Sequence, residues 1–268
     1  MEKTIGFIGA GNMGYAIGGG IISSGLVAKE NIIFSDASDE RLKKVHEELG
    51  AKTCNSNVLV ANESDILFLS VKPDMYPTVI EEIKDYVKKD VIIITIAAGV
   101  KLEKSRALFG KDLKIVRIMP NTPALVKESM SAVMPNEFIS KEELDKVLVI
   151  LNSFGKTEVV SEKLIDGVIA VSGSSPAYVF MMIEAMGDAA VASGLDRKRA
   201  YKFAAQAVLG SAKMVLETGM HPGELKDMVC SPKGTTIEAV KKLEEYGFRS
   251  ALIKAMEACE KKSKEMSK

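Results

Sequence analysis

The stretch that decides the fold is "GFIGAGNMG", residues 6–14. It grows out of an apolar run, "KTIGFI" (3–8), and opens a helical pattern. Gly9, Gly11 and Gly14 stand in a G-x-G-x-x-G spacing. Alone that spacing is weak, but between a strand and a helix it marks a dinucleotide-binding turn. Gly9 permits the tight turn, Gly11 lets backbone approach a pyrophosphate, and Gly14 lets helix pack close to strand. The helix N-terminus then offers N–H groups and a positive dipole end to phosphates. The competing reading is a tight strand–helix turn that holds no ligand.

Further along, short apolar runs alternate with amphipathic stretches: "NIIFS" (31–35), "DILFLSV" (65–71), "VIIITIA" (91–97) and "LKIVRI" (113–118). Consecutive Ile and Val suit strands buried on both faces. Helical patterns lie between them, such as "SDERLKKVHEELG" (38–50), with Ser38 to cap and Gly50 to stop. Strands alternating with helices predict a doubly wound, mostly parallel α/β sheet of Rossmann type. "MSAVM" (130–134) and "TEVV" (157–160) read as peripheral strands with a helix (140–153) between them.

Asp36 ends the second strand, about 20 residues past the glycine turn, where an acid accepts from an adenosine ribose and favours NAD. Its other reading is a helix cap. Ser35, Ser38 and Arg41 are the nearby groups that could compensate a 2′-phosphate. "SVKPD" (70–74) brings Lys72 to a strand end, with a surface role as the alternative. "AAGVK" (97–101) brings small residues that leave room for a flat ring, and "MPNTP" (119–123) brings Asn121.

Past residue 161 the strand signal stops and helices follow at 177–193, 196–218, 222–229, 236–246 and 248–264, with Gly194 ending one and Asp196 capping the next. The expected domains are 1–161, dinucleotide-binding, and 162–268, all-helical. The helix in "PAYVFMMIEAMGDAAVASG" (176–194) is apolar almost all round and needs a surrounding. About 100 residues make a small domain to enclose it, so a homo-oligomer packed through the C-terminal helices is expected. No stretch reads as an uninterrupted apolar run of the ~18–20 residues that span a bilayer, and this richest one carries Glu184 and Asp188.

The 268 residues are 47% hydrophobic and carry 36 basic and 36 acidic side chains, a globular balance that points to no nucleic-acid or membrane partner. The opening "MEKTIGFIGAG" runs straight into a strand pattern, so no signal peptide is expected. Cys54, Cys230 and Cys259 form no framework, which fits a reducing cytoplasm. His46 and His221 are the only histidines, so neither a zinc site nor a histidine dyad is expected.

The C-terminal half adds "VSGSSPAY" (171–178) and "HPGELKDMVCSPKGTTIEAV" (221–240). Thr235-x-x-Glu238 has capping-box spacing. The N–H groups of Gly234, Thr235 and Thr236 at that helix start would cradle a carboxylate.

With these residues the chain resembles the Δ1-pyrroline-5-carboxylate reductases along essentially its whole length. The likeness rests on "GFIGAGNMG", "LFLSVKP" (67–73), "AAGV" (97–100), "NTP" (121–123), "SGSSPAY" (172–178), "HPGELKD" (221–227), "SPKGTTIEA" (231–239) and "GFRSALIKA" (247–255). The resemblance implies a Rossmann-type domain followed by an all-α dimerisation domain, with dimers often assembled as a ring of five. It also implies an active site between one chain's nucleotide domain and its partner's helices. By the same resemblance Ala10, Asn12 and Met13 contact the pyrophosphate through backbone, and Ser35 and Asn57 lie near the adenosine. Val71, Lys72, Ala97 and Asn121 line the nicotinamide. Ser231, Gly234, Thr235 and Thr236 hold the substrate carboxylate and ring nitrogen. Thr236 would bond the imine nitrogen, and Lys72 stands beside it as the second catalytic candidate. The implied cofactor is NADPH, with NADH open because Asp36 argues for it.

The sequence departs from that pattern at Lys233, where a small residue is usual, and at Met228, Ser175 and Cys230. Two rival readings remain. A β-hydroxyacid dehydrogenase needs a proton acceptor, usually a lysine on the interdomain helix, and 176–194 has none. A non-catalytic dinucleotide-binding protein would explain the glycine turn but not the cradle at Gly234–Thr236.

Overall fold

The computed structural model describes residues 3–266. The first strand, β1 (Ile5–Ile8), runs into helix α1 (Asn12–Ser23). There follow β2 (Ile32–Ser35), α2 (Asp39–Lys44), β3 (Lys52–Cys54), α3 (Asn57–Glu63), β4 (Ile66–Leu69), α4 (Tyr76–Ile83) and β5 (Ile92–Thr95). After α5 (Leu102–Phe109) come β6 (Lys114–Met119), β7 (Ser129–Pro135), α6 (Lys141–Leu151), β8 (Gly155–Val159) and the short α7 (Ile165–Val168). Among the described residues the strands form one sheet in the order β3-β2-β1-β4-β5-β6-β7-β8. Every pairing is parallel except β6 with β7.

Apolar clusters lie on both faces of the sheet, which is why its central strands are apolar at successive positions. Phe7 stacks between Phe34 and Phe68, its register partners on β2 and β4, with ring centroids 4.5 and 4.6 Å apart. Such cross-strand aromatic pairs fix the register of the three strands that carry the glycine turn.

The sequence misses β3. It is three residues long and partly exposed, so it carries no apolar run. The helix expected over 38–50 is α2 followed by a wider π-type turn at Val45–Leu49, still capped by Ser38 and stopped by Gly50 at φ 68°. At α6 the Ser140/Glu143 capping box is complete.

The remaining helices are α8 (Ser175–Ala192), α9 (Arg197–Thr218), α10 (Pro222–Val229), α11 (Thr235–Glu245) and α12 (Phe248–Met266). The chain divides into two compact units. One runs to Ser174 and takes in the chain from Cys259 onward; the other is Ser175–Ala258. The division falls beyond the expected 161, because Asp166 and Ser174 bond to Ser263 and Cys259 near the end of α12.

In the second unit α8 meets α9 closely, with Tyr201 packed where any side chain at position 187 would stand. Asp196 caps α9, and Arg197 pairs with Asp188. Much of the unit's apolar surface nevertheless stays open: Phe180 is 62%, Phe203 68% and Leu216 82% exposed. One expectation is corrected here. The helical stretch Glu162–Ala192 contains an 18-residue window of mean hydropathy 1.4, which by length and composition only is long and apolar enough to cross a membrane.

Candidate active site

At the carboxyl ends of β1, β4 and β5, where the strand order reverses, lies a cleft of about 690 Å³. This is the switch point at which open α/β sheets bind ligands. Gly9, Gly11, Asn12 and Met13 form one wall, Ser70, Val71 and Lys72 a second, and Ile96, Ala97 and Ala98 a third. Asp36, Arg41 and Asn57 line it as well.

The glycine turn is built as its spacing predicts. Gly9 has φ 103°, and a Cβ there would stand 2.7 Å from the backbone of Ser70. At Gly14 a Cβ would meet the Gly9 carbonyl at 2.3 Å, so α1 could not approach β1 with any larger residue. Gly11 caps α1 with no side-chain bond, and nothing lies within 4 Å of where its Cβ would be. The first turn of α1 therefore presents free N–H groups to an open space of nucleotide size. Ser70 Oγ is buried without a partner among the described residues. The residues present fit a dinucleotide.

Several expected contacts have other positions. The Ala10 N–H donates to Asp36 Oδ2 at 2.7 Å, so it is not free for a pyrophosphate. Asp36 Oδ1 accepts from the Ser38 N–H at 2.9 Å, and the Arg41 guanidinium lies 3.6 Å from Oδ2. Asp36 thus ties the glycine turn to the start of α2. Ser35 is buried beneath the cleft rather than in it, and its hydroxyl donates to Asn57 Oδ1 at 2.8 Å. Asn57 does face the cleft, steadied on its other side by Glu82 at 2.8 Å.

Asn121 does not line the cleft. Its Nδ2 donates to the Ser172 carbonyl at 3.0 Å, and its Oδ1 accepts from the Met130 N–H at 3.1 Å. It braces the loop after β6 against β7 and against the turn that precedes α8.

Tyr76, which the sequence reading passed over, is buried behind the cleft. Its hydroxyl donates to the Leu69 carbonyl at 2.7 Å and accepts from the Ile96 N–H at 3.2 Å. It thereby pins together the ends of β4 and β5, which carry Lys72 and Ala97. Burial holds its pKa far above the ordinary phenol range. The available signal was a lone tyrosine just after a strand-end proline.

In the second unit, His221 Nδ1 caps α10 by accepting from the Gly223 N–H at 3.1 Å. The turn Ser231–Gly234 closes with the Gly234 N–H on the Ser231 carbonyl at 3.0 Å. Here too the sequence reading is corrected. Gly234 is the N-cap of α11 and Thr235 its first residue, so Thr235 and Glu238 form no capping box. Lys233 takes a left-handed conformation, φ 59°, which reverses the chain one residue before the helix and leaves its own side chain exposed. The result is a helix start with no side-chain cap, and with the Thr235 and Thr236 hydroxyls free of hydrogen bonds among the described residues. Uncapped N–H groups beside two hydroxyls can take both oxygens of a carboxylate.

Comparison with known proteins yields a consistent set. Residues 162–266 match the family described as pyrroline-5-carboxylate reductase dimerisation, and residues 4–99 match NADP oxidoreductase, coenzyme F420-dependent. The chain is 54% identical over 268 residues to a pyrroline-5-carboxylate reductase of Escherichia coli (strain K12), with 100% of each chain covered. Among solved structures, a pyrroline-5-carboxylate reductase from Coxiella burnetii superposes with a TM-score of 0.92 at 36% identity, over 100% of both chains. Plasmodium falciparum pyrroline carboxylate reductase with NADP bound gives 0.91 at 33% identity, again over 100% of both.

Proposed function

Because the chain belongs to the pyrroline-5-carboxylate reductase family, we propose the following division of labour for its residues. The enzyme is a nicotinamide-dependent oxidoreductase that reduces the cyclic imine Δ1-pyrroline-5-carboxylate to L-proline, and it self-associates through its C-terminal region. When bound, the reduced cofactor supplies the hydride that adds to the imine carbon.

The N–H groups at Gly11, Asn12 and Met13 hold the pyrophosphate at the start of α1. Val71, Lys72 and Ala97 border the nicotinamide, and Asn57 the adenosine. The substrate carboxylate sits on the N-terminus of α11, against Ser231, Gly234 and Thr235. Thr236 bonds the ring nitrogen and orients the imine carbon. A protonated imine is already electrophilic, so these residues need supply no strong acid. Their contribution is orientation and contact. The exposed Lys72 ammonium favours the cofactor's phosphates and the substrate carboxylate by charge.

The observation that carries this reading is the uncapped N-terminus of α11, where the Thr235 and Thr236 hydroxyls have no hydrogen-bond partner among the described residues. The preferred cofactor is NADPH. The Asp36 carboxylate is engaged by two backbone N–H groups, while Arg41 reaches the cleft with its side chain 58% exposed, suited to a 2′-phosphate. The open apolar faces of α8 and α9 support a dimer, and the resemblance supports further assembly of dimers. Three free thiols support a cytoplasmic location.

The deciding experiment is spectrophotometric. Pyrroline-5-carboxylate should drive NADPH oxidation at a higher kcat/KM than NADH oxidation, and hydroxy or keto acids should drive none. Turnover of a keto acid but not of the imine would overturn the reading.

A further inference from the structure

Tyr76, at the start of α4, is 1% exposed, and its ring belongs to an apolar cluster with Leu67, Leu69, Val79, Ile80 and Ile93. A phenyl ring would fill that space with no polar atom to satisfy. A hydroxyl buried there costs free energy unless it is bonded. What distinguishes tyrosine at this position is therefore its oxygen and the groups that the oxygen joins.

Strands β4 and β5 pair in parallel with Leu69 opposite Thr95. Successive residues of a strand turn their backbone groups to opposite neighbours, and the Ser70 N–H donates to the Ile8 carbonyl on β1 at 2.8 Å. The Leu69 carbonyl therefore faces β5, and the Ile96 N–H is the donor that would make the next rung. The Tyr76 hydroxyl occupies that rung. It donates to the Leu69 carbonyl at 2.7 Å and accepts from the Ile96 N–H at 3.2 Å. One oxygen atom stands where the two strands would otherwise close on each other.

The two tails that it separates are walls of the dinucleotide cleft. Ser70, Val71 and Lys72 follow Leu69, while Ala97 and Ala98 follow Ile96. The Met75 N–H donates to the Lys72 carbonyl at 3.0 Å, so the chain runs from Leu69 out through Lys72 and back to the hydroxyl as one closed loop.

We propose that Tyr76 is a positioning residue for the nicotinamide: its hydroxyl sets the spacing between the Val71–Lys72 wall and the Ala97–Ala98 wall, and so the place that the ring takes between them. The inference rests on the reading that this cleft holds the dinucleotide with its nicotinamide against those walls. Tyr76 touches no reacting atom. It acts through the distance between hydride donor and acceptor, where a misplacement of about 1 Å can cost about a hundredfold in rate.

The test compares two ligands on the full chain without imine. One is NADPH, followed by its fluorescence; the other is 2′-phospho-ADP-ribose, the same dinucleotide without its nicotinamide. Tyr76→Phe keeps the ring and removes the bridge. It should bind NADPH about fivefold more weakly, the equivalent of one neutral hydrogen bond, and the truncated ligand as wild type does. With imine and NADPH saturating, its kcat should fall about tenfold while the KM for the imine is unchanged. Ile80→Val, a truncation in the same cluster, should lower the melting temperature and leave both affinities and kcat in place, which separates positioning from loss of stability. Equal weakening of both ligands in Tyr76→Phe, wild-type NADPH affinity and kcat in that variant, or the same selective loss in Ile80→Val would overturn the proposal. The binding comparison needs no imine, so it decides the role of Tyr76 separately from the identity of the substrate.

Discussion

The backbone N–H of Ala10 donates to Oδ2 of Asp36 over 2.7 Å, so the acid at the end of β2 braces the glycine turn. An acid in this position ordinarily serves the ribose. Here the carboxylate already accepts two N–H groups and faces Arg41. Asp36→Ala should therefore loosen the turn for either cofactor, raising both KM values by about tenfold, the equivalent of one charged hydrogen bond. Steady-state kinetics with NADPH and NADH check this. A loss confined to NADH would return Asp36 to the ribose.

Arg41 should discriminate between the two cofactors. Removing one exposed guanidinium from a phosphate costs about 1–2 kcal/mol, roughly five- to thirtyfold. Arg41→Ala should lower kcat/KM for NADPH by that factor and leave NADH nearly untouched. It should also flatten the salt dependence of NADPH binding. Equal losses for both cofactors would remove Arg41 from the 2′-phosphate.

Asn121 offers a test of brace against ligand contact. Asn121→Ala strands the Ser172 carbonyl and the Met130 N–H, which should cost about 1–3 kcal/mol of stability. The melting temperature should fall while the cofactor KM stays close to wild type. An unchanged melting temperature with a raised KM would instead place the amide against the nicotinamide.

Which features the sequence discloses follows from how far apart the interacting residues lie. The strands β1, β2, β4 and β5 are legible because burial on both faces demands apolar residues at successive positions. The glycine turn is legible because its steric needs are local. β3 has too few residues and too much exposure to leave a pattern. The bonds of Asp36, Ser35 and Asn121 join residues 22 to 51 positions apart, and nothing local fixes their partners. The start of α11 moves by one residue because Lys233 turns left-handed, a choice its side chain does not announce. Arg117, 1% exposed in β6, did leave a signal, a cation set between the apolar Val116 and Ile118.

Thr236 should matter to the imine and not to the cofactor. A hydroxyl hydrogen-bonded to a cationic nitrogen is worth about 1.5–3 kcal/mol. Thr236→Ala should thus lower kcat/KM for the imine by about ten- to a hundredfold, with NADPH affinity measured by fluorescence unchanged. Thr236→Ser should recover most of the loss. A Thr236→Ala enzyme of wild-type kcat/KM would remove the hydroxyl from the reaction.

Acid stability should depend on Glu143, at the start of α6. Its carboxylate accepts from Lys114 at 2.7 Å and from the Ser140 N–H at 3.0 Å. These bonds, the lysine's first, outweigh burial and bring its pKa from 4.5 down to about 2. The folded pKa lies below the unfolded one. The stabilisation is therefore complete above about pH 4.5 and disappears as pH falls toward 2. With side chains 24% exposed on both partners, screening reduces it to about 1–2 kcal/mol. Glu143→Gln should be less stable than wild type by that amount at pH 7, and the two proteins should converge between pH 4.5 and 2. Urea titrations across that range measure the convergence. A gap at pH 2 as large as the gap at pH 7 would mean that the charge of Glu143 is not what is lost.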